Sequence, residues 1–189
     1  MFKSKILASC AVLLLAAAAS GCSLASQPAT VSNIDGSAVQ WAFTQADQHP
    51  DQVLEQQINT AQKTLDIAIY SLTEKGIVQS ILDAKKRGVK VRLITDKQQM
   101  AGKSQAEQLK NLAKAGIPIK YNSHSGLMHL KVSIIDGTEC TTGSFNYSNQ
   151  ASTDNDEVLL VVKDPKATAA FQAQFDRMWS DTKGFKDYK

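Results

Sequence analysis

The chain has 189 residues and a formal charge of +3, from 21 Lys and Arg against 18 Asp and Glu. That length suffices for one domain with a real core. So small a net charge excludes bulk charge as a source of nucleic-acid affinity, so anion binding must come from local placement.

Residues 1–22, MFKSKILASCAVLLLAAAASGC, carry Lys3 and Lys5, an apolar run from Ile6 to Ala19, then small residues. This is the pattern of a bacterial-type export signal, too short and alanine-rich for a good permanent span. Its end, Ala19-Ser20-Gly21-Cys22, resembles the lipobox of bacterial lipoproteins, although leucine usually stands where Ala19 is. The resemblance implies lipidation of Cys22 and a membrane partner reached through that anchor. Ser23 resembles outer-membrane sorting, so the expected location is exported and periplasm-facing. The alternative is an ordinary signal cut nearby, leaving a soluble periplasmic or secreted protein. Without Lys3 and Lys5, 19 basic residues face 18 acidic ones, a balance of +1.

Residues 23–37, SLASQPATVSNIDGS, are small, polar and proline-containing, as a tether would be. A single domain is expected over 38–189, where strand and helix patterns alternate. VQWAFT is a predicted strand, PDQVLEQQINTAQ a helix with Leu54, Ile58 and Ala61 on one face, and TLDIAIYSL a strand. EKGIVQSILDAKKRG is a predicted helix stopped by Gly88, and VKVRLIT a strand. KSQAEQLKNLAKAG is a helix, and IPIKY a short strand that Pro118 either opens or confines to an edge. EVLLVV is a strongly apolar strand. Asp164 and Pro165 then start a last helix, with Phe171, Phe175, Met178 and Trp179 on its core face. The fold class is therefore α/β: a sheet core flanked by helices.

The strand MHLKVSIIDG, 128–137, raises a conflict. Residues i and i+2 share a face, so His129, Lys131 and Ser133 point one way and Leu130, Val132 and Ile134 point into the expected core. A buried cation is costly unless paired. The His-Lys face is therefore either open to water or turned toward an anion.

The segment HLKVSIIDGTECTTGSFN, 129–146, contains His-x-Lys-x4-Asp, six residues, then Gly-Ser-x-Asn. It resembles the HKD motif of the phospholipase D superfamily, and most closely the bacterial single-motif branch of exported nonspecific endonucleases. LDIAIYSLTEKGIVQSILDAKKRGVKVRLITDK and LAKAGIPIK are similar to the same family's early strands and helices. Metal-free phosphodiester cleavage needs a nucleophile, an acid for the leaving oxygen, and cations or donors on the non-bridging oxygens. The resemblance assigns these parts to His129, Lys131, Ser144 and Asn146, the last three binding phosphate. It also implies that Glu157 holds the imidazole in one tautomer, with Asp154 and Asp156 as the neighbouring carboxylates that compete for the part. Asp136 completes the motif and is expected to organise its turn by local hydrogen bonds. The chain carries one such motif where larger members carry two, so the resemblance implies a homodimer in which two copies of His129 meet.

The expected function is a metal-independent endonuclease acting through a phosphohistidine on DNA or RNA. The alternatives are a phospholipase D or phosphatidyl transferase at a membrane surface, and a non-catalytic nucleic-acid-binding module. No cofactor and no metal are expected: His124, His129 and Cys140 fit no common zinc spacing. Cys140 is expected to be a buried hydrophobe, and His124 to line a loop or touch substrate, the alternative being that it supplies the acid within one chain. The basic run DAKKRGVKVR is a solvated helix end or a phosphate-tracking patch. Tyr147 either packs or stacks on a base.

Overall fold

A computed structural model describes residues 37–189 and the backbone of Ser32–Asn33. The export signal, Cys22 and most of the expected tether lie outside the described residues. In chain order come β1 (Ser32–Asn33), β2 (Val39–Phe43), α1 (Pro50–Thr60), β3 (Thr64–Ile69), α2 (Lys75–Lys86), β4 (Lys90–Thr95) and α3 (Lys103–Lys114). They are followed by β5 (Ile119–Asn122), β6 (Lys131–Ile135), β7 (Glu139–Gly143), α4 (Asn149–Thr153), β8 (Val158–Val162), α5 (Pro165–Ser180) and β9 (Phe185–Asp187). The described strands make one mixed sheet, ordered β1-β2-β8-β7-β6-β3-β4-β5-β9. Strands β3, β4 and β5 run parallel, and the other pairs are antiparallel.

Side-chain alternation sorts the core into two layers. Leu65, Ile67 and Ile69 of β3 face one way and pack with Leu54 and Ile58 of α1, Ile77 and Ile81 of α2, and Leu109 and Leu112 of α3. Ala68, Ile94, Val132 and Ile134 face the other way, against Phe175 and Met178 of α5. Burial of each such large side chain contributes about 1.5–3 kcal/mol.

The helices end where their sequence says they should. Glu74 caps α2 by accepting from the Ile77 N–H at 2.6 Å, and Gly88 at φ 92° takes the left-handed turn that stops it. Asp164 accepts from the Ala167 N–H at 2.7 Å, with Pro165 in the first turn of α5. One charged group sits deep between the layers. Asp66 is 3% exposed and receives both arms of Arg92 at 2.7 and 2.6 Å, and Arg92 also reaches Asp176 of α5 at 2.8 Å. This ties α5 to the sheet, with the guanidinium over the rings of Phe175 and Trp179.

Several expectations shift. Ser32–Asn33, inside the predicted tether, pair with Trp41 and Gln40 of β2. Strand β5 is not an edge, because β9 covers it; Pro118 stands just before it. Strand β6 starts at Lys131, so His129 and Leu130 precede it, and Leu130 is 38% exposed rather than in the core. All five residues of β6 are buried, because helices cover both faces at the middle of the sheet. The His-Lys face is thus not simply open to water.

Candidate active site

The parallel strands β3 and β4 deliver their carboxyl ends to one rim of the sheet, where open α/β sheets place their ligands. The antiparallel β6 begins at the same rim, with Lys131 opposite Ile69. The Tyr70 N–H donates to the Leu130 carbonyl at 2.9 Å, which extends the pairing one step and leaves His129 beside Tyr70. The chain just before His129 is pinned from below. Asp96 is fully buried; one oxygen accepts from the Met128 N–H at 2.8 Å and the other from the Gln98 N–H at 2.8 Å.

His129 is exposed and Lys131 is 6% exposed. The Lys131 Nζ lies 3.1 Å from Nδ1 and 3.2 Å from Nε2 of His129, and donates to the His129 carbonyl at 3.0 Å. One atom at those distances from both ring nitrogens cannot lie in the ring plane without colliding with the carbon between them. The ammonium therefore sits over the face of the imidazole rather than in line with either nitrogen. Burial pulls the Lys131 ammonium below the ordinary lysine pKa, and the Glu157 charge opposes that pull. Tyr70 flanks both groups at the edge of the imidazole. Its ring centroid is 4.5 Å from that of His129, and Lys131 Nζ is 5.1 Å from the Tyr70 centroid. Gln99 donates to the Tyr70 hydroxyl at 2.8 Å.

The opposite wall is the turn after β7. Gly143, at φ 138°, passes so close to β8 that a Cβ there would strike the Val158 carbonyl oxygen. That carbonyl accepts from the N–H groups of Ser144 and Phe145 at 3.1 and 3.3 Å. Ser144 Oγ accepts from the Val158 N–H at 3.1 Å, so its own proton remains to be donated into the cleft. Asn146 Oδ1 is buried with no hydrogen-bond partner among the described residues. Tyr147 holds the turn in place: its N–H donates to Ser71, and its carbonyl accepts from Thr73 and Glu74.

His129, Lys131, Gly143, Ser144, Asn146 and Glu157 thus line one cleft of about 380 Å³. Glu157 accepts from Asn155 at 3.0 Å and makes no hydrogen bond to His129 among the described residues. Asp136 stands apart, and its expected local role is corrected. Its carboxylate accepts from the N–H groups of Gln62, Lys63 and Thr64 at 2.7–2.9 Å, in the loop entering β3. Burial raises its pKa, but these three bonds and the Lys63 charge outweigh it, so the carboxyl lies below its ordinary value.

Tyr147 packs: it is fully buried, its hydroxyl bonds Ser133 at 2.7 Å, and burial pushes its pKa up to about 12. Cys140 is also fully buried, and burial raises its thiol pKa. His124 lies against Phe185 and lines a second cavity of about 350 Å³ that His129 also borders. The basic run belongs to the other end of the sheet. Arg87 there donates to the carbonyls of Ile58 and Asn59 at the end of α1, while Lys90 opens β4 opposite Thr64. Among the described residues no group of three or more His, Cys, Asp or Glu converges as metal ligands.

Tyr70 and Asp96 went unseen in the sequence. The available signal was positional: each is the residue just past the carboxyl end of a parallel strand.

The family model for the PLD-like domain of cardiolipin synthase matches residues 54–179, two thirds of the chain. The mitochondrial cardiolipin hydrolase of Chlamydomonas reinhardtii is 38% identical over 122 residues, covering 65% of this chain and 54% of the relative. That of Xenopus tropicalis is 34% identical over 121 residues, covering 64% and 57%. The chain thus spans about half the length of these curated relatives. Nuc from Salmonella typhimurium, a phospholipase D family member, superposes with a TM-score of 0.74 at 28% identity, covering 80% of this chain and 97% of that one. NucT from Helicobacter pylori superposes with a TM-score of 0.65 at 26% identity, covering 75% and 96%.

Proposed function

The chain belongs to the phospholipase D-like family, and from that premise we propose that it is a metal-independent phosphodiesterase, an endonuclease that works as a homodimer. The observation that carries this reading is the stacking of Lys131 over the face of His129. It puts a cation beside the imidazole without occupying either ring nitrogen.

One nitrogen attacks phosphorus, the P–O bond to the leaving group breaks, and a phosphohistidine forms. Lys131, Ser144 and Asn146 take the non-bridging oxygens; the Ser144 proton is free for this, and Asn146 donates through its Nδ2 amide. Glu157 is the carboxylate lining this cleft and is assigned to hold the second ring nitrogen once substrate or a second copy completes the site. The departing oxygen needs a proton from the far side of phosphorus. Within one chain the other nearby histidine, His124, is turned onto Phe185. The acid is therefore His129 of a second copy, which afterwards takes a proton from the water that releases the phosphoryl group.

Nucleic acid is favoured as substrate because the chain corresponds to nearly all of the Nuc chain but to half of each lipid hydrolase. A second reading, hydrolysis of a phospholipid, rests on Leu127 and Leu130. They are 43% and 38% exposed in the cavity that borders His129, where acyl chains could lie. The test is nicking of supercoiled plasmid in excess EDTA, beside a cardiolipin-vesicle assay. The endonuclease reading expects nicking that falls at least a thousandfold in His129→Ala. Release of lipid product with no nicking would move the activity to the membrane.

A further inference from the structure

We propose that the pocket under Phe43 is a nucleobase-binding subsite beside the scissile phosphate; this rests on the endonuclease reading. Phe43 ends β2 and is 46% exposed, the most exposed large hydrophobic among the described residues. Its neighbour Ala42 is fully buried, so the ring is turned out by strand alternation, not by a fraying end. The ring walls a cavity of about 340 Å³ lined also by Thr44, Gln45, Asp156, Ser144 and Glu157. Ser144 and Glu157 line the His129 cleft as well, so the two spaces adjoin. In this proposal, a base whose phosphate is held by Lys131 and Ser144 reaches the pocket across the shared wall of Ser144 and Glu157.

The platform is fixed in place. The Thr44 N–H donates to the Glu157 carbonyl at 3.1 Å, and the Glu157 N–H donates to Thr44 Oγ1 at 2.9 Å. Thr44 Oγ1 in turn donates to the Asn155 carbonyl at 2.6 Å, and Gln48 accepts from the Phe43 N–H at 2.9 Å. The backbone that carries the ring is thus already ordered and costs little further freedom when a base stacks.

The chemistry of the lining selects the occupant. Among the described residues no cation lines the pocket, and Asp156 and Glu157 repel a phosphate. An acyl chain would desolvate those carboxylates and the Gln45 amide with nothing in return. A base offers a flat face for Phe43 and exocyclic amino groups for carboxylate and amide oxygens. The favoured ligand is therefore a base carrying an amino group: adenine, cytosine or guanine.

The test compares Phe43→Ala, Phe43→Leu and Phe43→Trp in the full chain on two substrates, a single-stranded oligonucleotide and bis(p-nitrophenyl) phosphate. Loss of one base–aromatic stack corresponds to roughly a 5- to 150-fold effect. Phe43→Ala should lose that much more kcat/KM on the oligonucleotide than on the small diester. Phe43→Trp should keep the oligonucleotide activity, and Phe43→Leu should not. Equal losses on both substrates, or full rescue by Leu, overturn the subsite. So does a shift from dimer to monomer on sedimentation of Phe43→Ala, which would make the pocket an interface. Hydrolysis of the small diester with no cleavage of any oligonucleotide by the unmodified protein is a failure of the endonuclease reading itself.

Discussion

Lys131 shows how the site trades stability for chemistry. Lys131 is buried as a residue, and its ammonium rests on His129, Tyr70 and one carbonyl, with no salt bridge to an acidic side chain among the described residues. Its folded pKa is depressed, so between that value and the ordinary lysine value near 10.4 the unfolded chain binds more protons. Stability therefore rises with pH across that window, and below it the full penalty of the buried charge is present. Replacing Lys131 with Met should remove the penalty while keeping the stem's packing. Denaturant melts at pH 7 should show a stability gain of about 1 kcal/mol, with phosphodiester hydrolysis down at least a hundredfold. A loss of stability would mean that the ammonium is a structural anchor. The motif residues were legible because His129, Lys131, Ser144 and Asn146 keep fixed spacing along the chain. Tyr70 and Asp96 were not, because their part depends on β3 lying between β4 and β6, and no spacing records that.

At the scale of elements, the burial of both faces of β6 was not legible for a related reason. Alternation identifies a strand with one wet face, and β6 has none; His129 reaches solvent only by standing ahead of the strand. The short α4 and β9 escaped notice because runs of five and three residues carry too little periodicity to read. Asp136 was recognised, but its partners were not: it grips the loop that starts β3, and so fixes the register of β3 against β6. Asp136→Asn keeps one acceptor oxygen but gives up the charge, and should cost about 1.5–3 kcal/mol at pH 7. The folded carboxyl has a depressed pKa, so its contribution is full above the unfolded value near 3.9. It fades as pH falls through the lower folded value, because the unfolded chain takes up its proton first. The difference between Asp136→Asn and the parent in urea should accordingly shrink below pH 4. A difference that persists unchanged at pH 2 would show that shape, not charge, holds the loop.

The alternation of strands and helices predicted the α/β class, and the two apolar layers around the sheet realise it. Among the described residues the cleft is lined by one imidazole, that of His129, and an in-line displacement with acid assistance needs a second acid-base group opposed to it, in our proposal a second imidazole. If that second imidazole is His129 of another copy, a site built from one intact and one His129→Ala chain lacks either nucleophile or acid. Co-expressing the two chains in equal amounts then yields one intact pair in four, with half the pairs mixed and inactive. Activity per total protein should fall to roughly a quarter of the parent rather than to half. Across mixing ratios it should follow the square of the intact fraction. A linear dependence would show that each chain completes its own site, and would hand the proton to a group within the chain, with His124→Ala the next substitution to measure.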